Sequence, residues 1–283
     1  MDKIISAELQ KNLNMIIDCF TFFNELDLLE LRLEELYESV DYFILVEASK
    51  TQSLLDKPFY FEENKSRYAK FLDKIIHVKV EDCPNNNENP WTMENFQRNC
   101  ISRGLEKLDL NDEDWILISD LDEIPKSDFL KRINEIKNID LFSLNMIFSA
   151  YFLNLKASYR DWIGTVACKY KNIKINNIQH FRNIKDSLPF IENAGWHFSW
   201  LGGYEKIYEK AKSCIEPFDK STLPTKEYFE NYFNDLLAKN NFNFFLHLEN
   251  LSKQEIAFSK VNIDNSYPLF ILNNLNKFKQ HIL

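Results

Sequence analysis

Two aspartates one residue apart, Asp120 and Asp122, stand directly behind the apolar run Trp115-Ile116-Leu117-Ile118-Ser119 and ahead of Glu123-Ile124-Pro125. In an extended segment, side chains at i and i+2 leave on the same face, so both carboxylates can offer oxygens to one cation. Hard divalent ions such as Mg2+ or Mn2+ accept that arrangement, with water and substrate phosphate completing the octahedron. An ion held there would let carboxylates meet a diphosphate, and as a Lewis acid it would stabilise the charge that grows when a sugar–phosphate bond breaks.

Two other readings fit the same residues. A phosphohydrolase could use Asp120 as nucleophile with Mg2+ on the same loop, although Ile124 stands where that pattern has threonine. Alternatively, the segment is an acidic turn that closes a core strand and does no chemistry. An EF-hand would need a central glycine and a closing glutamate, and neither falls in place. The five glycines (104, 164, 195, 202 and 203) form no GxGxxG turn, Walker A loop or nucleophile elbow, which removes dinucleotide, ATP-loop and serine-hydrolase chemistry.

Further polar residues are set where they could take part. His197 lies in Gly195-Trp196-His197-Phe198-Ser199, and its imidazole is either a metal ligand beside the aspartates or a core histidine among aromatics. Arg98 can pair with a diphosphate or Asp120, or with Glu94 one helical turn away. Trp162 and Trp196 could stack on sugar rings or simply pack. Lys206, Lys210 and Lys212 could meet phosphate, but a solvated helix face is the simpler reading.

These residues need a scaffold. The chain has 283 residues, 45% of them hydrophobic and 14% aromatic, enough for one large α/β core. The net charge of −9 and the lack of a basic stripe argue against nucleic acid as a partner. Five widely spaced cysteines without a CxxC pair read as free thiols in a reducing compartment. Residues 1–13 lack the apolar core of a signal peptide, and no run reaches membrane-spanning length. The sequence therefore reads as cytoplasmic, with any membrane association peripheral.

Short apolar runs at 15–20, 41–47, 75–80, 114–119 and 139–148 alternate with helical patterns opening at 24–27 and covering 93–108, the signature of βαβ units. Residues 81–89 form a polar loop rich in Asn and Pro. Residues 162–170 and 173–178 read as irregular or antiparallel strands. From Tyr204 onward the chain reads as helical, with one stripe on Tyr204, Ile207, Tyr208 and Ala211. A second stripe carries Tyr228, Phe229, Tyr232, Phe233, Leu236 and Leu237.

Several ordered motifs resemble glycosyltransferase family seventeen, the β-1,4-mannosyl-glycoprotein N-acetylglucosaminyltransferase relatives. They are the stretch from Asp18 to Arg32, Val40-Asp41 with Val46-Glu47-Ala48, and Glu94 with Gln97-Arg98-Asn99 and Gly104-Leu105. They continue with Ser119-Asp120-Leu121-Asp122-Glu123-Ile124-Pro125, Gly195-Trp196-His197-Phe198-Ser199, and Tyr267-Pro268 with Asn273. The resemblance implies a GT-A-like nucleotide-diphospho-sugar transferase fold in the α/β class, with a mostly parallel twisted sheet flanked by helices and a helical C-terminal part. Residues 1–283 would then form one domain, with a nucleotide-sugar-binding half (14–150) and an acceptor-side half (151–283).

The same resemblance implies a UDP-sugar donor, with N-acetylglucosamine the expected sugar, a glycan or glycoconjugate acceptor, Mn2+ (or Mg2+) dependence, and transfer with inversion. In that layout Cys19, Phe20 and Thr21 would line the nucleotide slot, while Glu47 would contact the nucleoside. Arg98, Asp120 and Asp122 would hold the diphosphate, and Asp120, Asp122 and His197 the metal. Inversion requires a general base, for which Glu192 and Asp161 are the candidates. A noncatalytic glycan-binding protein would keep the aromatic platforms without the chemistry.

Overall fold

The first strand, β1 (Ile16–Phe22), runs through the middle of the sheet because nearly all its side chains are apolar and both its faces are covered. It pairs in parallel with β2 (Tyr42–Ala48) on one side and β4 (Trp115–Asp120) on the other, and β3 (Ile75–Val80) lies parallel to β2. Helix α1 (Leu26–Leu36) covers the face that carries Phe20, Phe22, Phe43, Leu45 and Leu117. Helices α2 (Thr92–Asn99), α3 (Ile101–Leu105) and α4 (Ile178–Ile184) pack on the opposite face, against Ile17, Cys19, Ile44, Val46, Ile116 and Ile118. Gly104 lets α3 approach closely: a Cβ there would lie 2.5 Å from the Ile44 side chain. The computed structural model describes residues 14–84, 91–158, 161–214, 225–239, 243–244 and 256–283.

Beyond β4 the pairing turns antiparallel. β8 (Trp162–Lys169) lies against β4, and β6 (Leu141–Ala150) against β8. β9 (Phe190–Ser199) runs parallel to β6 and holds the short β5 (Glu123–Pro125) antiparallel on its other side. β7 (Leu155–Ala157), β11 (Ile256–Lys260) and β10 (Asn243–Phe244) extend that edge. A parallel β3-β2-β1-β4 core flanked by helices is compatible with the GT-A-like fold expected from the sequence.

Three local expectations change. Residues 173–178 are not a strand: after a turn, Asn177 caps α4 by accepting the His180 N–H at 2.8 Å, and Ile175 is left 79% exposed. The helical pattern at 93–108 breaks at Cys100 into α2 and α3. In the C-terminal part, α5 (Gly203–Ser213) and α6 (Lys226–Lys239) pack together on a third core through Ile207, Ala211, Phe229 and Phe233. Of the second stripe read from the sequence, Tyr228, Tyr232 and Leu237 face outward.

α1 presents its one buried cation to the acidic turn. Arg32 and Asp18 are both fully buried, and the guanidinium is bidentate to the Asp18 carboxylate, with Nε at 2.7 Å from Oδ2 and Nη2 at 2.6 Å from Oδ1. Nη1 donates to the backbone carbonyls of Asp120, Leu121 and Glu123 at 3.1, 3.1 and 2.8 Å, and Nη2 also reaches the Ser119 hydroxyl at 2.5 Å. This side chain therefore fixes the backbone on which the aspartates sit. Replacing Arg32 with Met leaves Asp18 charged and unpaired in the core, which costs about 3–5 kcal/mol. Urea unfolding of Arg32→Met should show a loss on that scale, and Arg32→Lys should not recover it, because an ammonium cannot reach these acceptors as a planar fork.

Candidate active site

Where β1 is flanked by two strands that leave it in opposite directions, the C-terminal strand ends open into a crevice, the usual ligand position in such sheets. Here the cleft encloses a cavity of ≈ 250 Å³. Thr21 and Phe23 enter it from the end of β1, Thr51 and Lys57 from beyond β2, and Glu94 and Gln97 from α2. Asp120 and Asp122 come from the turn after β4, Phe148, Trp162 and His197 from the antiparallel strands, and Lys210 from α5.

The turn sends its carboxylates to different partners. Glu123 is fully buried; Arg182 of α4 forks onto it at 2.7 and 2.9 Å, and the Trp162 indole N–H donates to it at 2.7 Å. Asp120 lies between two guanidinium groups, Oδ1 accepting from Arg98 at 2.8 Å and Oδ2 from Arg182 at 2.9 Å. Burial pushes the Asp120 carboxyl up, but the two arginines outweigh it and hold the group well below the usual carboxylate range. Gly164 supplies the carbonyl that completes Arg182, and a Cβ on it would press into Met146, Trp162 and Glu123.

Asp122 has no such clamp. Its Oδ1 lies 3.5 Å from His197 Nε2 and its Oδ2 3.4 Å from Lys210 Nζ, distances at the outer limit of hydrogen bonding. Burial raises its pKa, while Lys210 and His197 lower it further, to about 2. The same pairing acts on Lys210, where burial works against the charge but Asp122 and Glu25 raise its pKa above the ordinary lysine value.

The two strands bring the donors together: Glu123 pairs with His197 in the β5–β9 ladder, and the Phe198 N–H bonds the Asp122 carbonyl at 2.9 Å. His197 stacks on Phe148 at 5.0 Å, leans against Trp162 at 4.5 Å, and keeps a buried Nδ1 without a partner. Among the described residues no three His, Cys, Asp or Glu side chains gather into a cage. One carboxylate and one imidazole nonetheless fit Mn2+ or Mg2+ where substrate phosphate and water would complete the shell.

The match to known proteins decides the family. The model of glycosyltransferase family 17 matches residues 3–212.

The chain belongs to glycosyltransferase family 17.

Among its similar relatives are proteins named beta-1,4-mannosyl-glycoprotein 4-beta-N-acetylglucosaminyltransferase. That of Rattus norvegicus is 24% identical over 231 residues, covering 70% of this chain and 42% of the relative. Those of Homo sapiens and Mus musculus are 24% and 23% identical, covering 70% of this chain and 43% and 42% of the relatives. The match thus spans less than half the length of these relatives. No helix among the described residues is long and apolar enough to cross a membrane.

On this family 17 domain, the residues singled out from the sequence divide into two groups. Thr21, Asp120, Asp122, His197 and Trp162 line the cleft. Cys19 and Phe20 do not: both are fully buried, on opposite faces of β1, and the Arg32 guanidinium sits over the Phe20 ring at 4.6 Å. Glu47 is also fully buried, accepting from the Phe61 N–H and contacting His77 and Lys57, so Lys57 lines the cleft in its place. Arg98 reaches the site through Asp120 and also bonds Glu94 at 2.8 Å, so both pairings read from the sequence are present. Of the two metal-binding aspartates expected, Asp122 keeps its position, whereas both Asp120 oxygens are taken by arginines.

Glu192 and Asp161 lie outside the cleft lining. The register between β6 and β9 shifts beyond Leu144, and Asn193 takes φ +54, so Glu192 is turned outward, where it meets the Asn145 amide at 2.5 Å. Asp161 is exposed and leans on the same amide at 3.4 Å. Trp196 donates to the Ser266 carbonyl at 2.9 Å and packs in the α1-side core. Sequence reasoning missed Arg182 altogether and left Lys210 on a solvated face. Arg182 lies in the stretch misread as leading out of a strand, and Lys210 flanks the buried pair Ile207 and Ala211.

The depressed Asp122 pKa has a consequence for stability. Its unfolded value is near the ordinary 3.8 and its folded value about 2, so its contribution is fully present above about pH 4 and disappears as pH falls through 2. Between about pH 5 and pH 2 this carboxylate should account for about 2 kcal/mol of acid destabilisation. Chemical denaturation of Asp122→Asn across that window should show a pH dependence flatter by that amount, and an unchanged slope would show that Asp122 is not charged and paired.

Proposed function

We propose that this chain transfers a sugar from a UDP-sugar, with N-acetylglucosamine the sugar suggested by the names of its relatives, to a glycan acceptor with inversion at the anomeric carbon. The observation that supports this reading is the convergence of Asp122, His197 and Lys210 in one cleft at the C-terminal edge of the parallel strands. Asp122 and His197 would hold Mn2+ or Mg2+. When bound, that ion would supply Lewis-acid stabilisation of the charge developing on the departing diphosphate.

The chain's own groups do the rest of the positioning. Arg98 and Arg182 keep Asp120 ionised and its carboxylate fixed at the rim. Glu123 and Arg182 hold the Trp162 indole in place, and Trp162 with Phe148 and Trp200 gives the cleft an aromatic wall suited to a sugar ring. The attacking hydroxyl needs a proton acceptor, and Glu192 and Asp161, the candidates read from the sequence, both stand beside Asn145 outside the cleft lining.

The phosphohydrolase reading is disfavoured by the same geometry, since an Asp120 nucleophile would have to shed a guanidinium from each oxygen before attacking phosphorus. A protein that only bound neutral glycans would have no use for the buried charges gathered at the turn.

Thermal unfolding with UDP, Mn2+, both, or UDP with a chelator tests the proposal directly. Stabilisation should appear with UDP and Mn2+ together, reaching about 2.7 kcal/mol when UDP is at roughly 100 times its Kd. Asp122→Asn should abolish most of it. Equal stabilisation by UDP in the presence of chelator would overturn the metal-bridged reading.

A further inference from the structure

Helix α5 closes one side of the cleft, is entered through a left-handed turn and is held by polar contacts at its far end. Trp200, Gly202 and Gly203, at its N-terminal end, have φ of +56°, +115° and +74°. A Cβ on Gly203 would meet nothing within 4 Å, so that glycine serves backbone conformation and not close packing. At the far end, the Ser53 hydroxyl donates to the Lys212 carbonyl at 2.9 Å and the Ser53 N–H to the Ser213 carbonyl at 3.1 Å.

Along the helix its three lysines part company. Lys206 and Lys212 are exposed, whereas Lys210 turns inward over the Trp200 ring at 5.4 Å. Its ammonium lies 3.4 Å from Asp122 and 3.9 Å from Glu25. These distances describe charge attraction without a tight hydrogen bond, and such a group can leave without breaking a fixed geometry.

We propose that Lys210 is a displaceable counter-ion, holding Asp122 until a divalent cation takes that carboxylate and then turning to the diphosphate that the cation brings. The proposal rests on the donor-binding reading above. An ammonium and a divalent ion on one carboxylate repel each other, so each weakens the other's hold. A diphosphate carries enough negative charge for both, which makes binding of the ion and the nucleotide mutually favourable. Lys210 is thus a positioning residue for the leaving group and a brake on metal binding without substrate.

The test compares the wild-type chain with Lys210→Met and Lys210→Arg. Free Mn2+ is counted by electron paramagnetic resonance without nucleotide, and UDP affinity is measured by calorimetry at saturating Mn2+. Lys210→Met should bind Mn2+ alone roughly tenfold tighter and UDP roughly tenfold weaker, within the ordinary range of coupling between sites. Lys210→Arg should retain UDP binding. If the wild type binds UDP with Mn2+ but Lys210→Met has unchanged or weaker Mn2+ affinity, Lys210 is an ordinary ion pair and this proposal fails while the donor reading stands. If the wild type does not bind UDP with Mn2+, both fail.

Discussion

A buried guanidinium organises the region that carries the chemistry. Three carbonyls of the turn after β4 converge on Arg32, a convergence that in an apolar interior would leave oxygen dipoles facing one another with nothing between them. Arg32 satisfies them and is itself neutralised by Asp18 from the central strand. Because the carbonyls point inward to Arg32, the side chains of Asp120 and Asp122 are free to point outward into the cleft. α1 also buries Leu28, Leu29, Leu31, Leu33 and Leu36 on more than one face, sharing a core with Ile271 and Phe278 from the C-terminal segment.

The two aspartates show how little a motif says about the state of its members. They stand two residues apart in one turn, yet Asp120 is held by two arginines in charge-assisted hydrogen bonds, while Asp122 faces a lysine and a histidine at longer range. The first is a fixed anion that orders Arg98 and Arg182, and through Arg182 also Glu123 and Trp162. The second is an anion whose partners can be exchanged. Rigidity on one side of the turn and exchangeability on the other suit a site that must keep its shape while a charged ligand comes and goes.

Much of the scaffold was legible in the residues because its signals are local. The runs at β1 to β4 and the leucine pattern of α1 carry their periodicity within a dozen residues, and the acidic turn announces itself where an apolar strand stops. What could not be read depends on distant partners. Arg182 reaches Asp120 across 62 positions and Lys210 reaches Asp122 across 88, and neither spacing leaves a mark in the local sequence. Near misses have physical causes too. Ile173 and Ile175 mimic a strand's alternation until Asn177 caps a helix, and Glu192, five residues from His197, is turned away by a register shift and a positive φ at Asn193. Cys19 and Phe20 were placed at a strand end, but β1 runs two residues further and carries them into the core.

Charge pairing around the cleft reconciles a chain of net charge −9 with the anionic donor proposed for it. Five carboxylates in and behind the cleft come with a cation: Asp18 with Arg32, Glu47 with Lys57, Asp120 with Arg98, Glu123 with Arg182, and Asp122 with Lys210. Local neutrality removes the repulsion that the surface as a whole would exert. Arg32, Arg98 and Arg182 hold their carboxylates at 2.6, 2.8 and 2.7 Å, and Lys57 is buried beside Glu47 at 3.5 Å. Lys210, at 25% exposure, is the most exposed of these five cations, and it stands beside the turn carboxylate that no arginine holds. Lys210 thus places a partly exposed positive charge on the helix that closes the cleft, which ties the position of α5 to what occupies it.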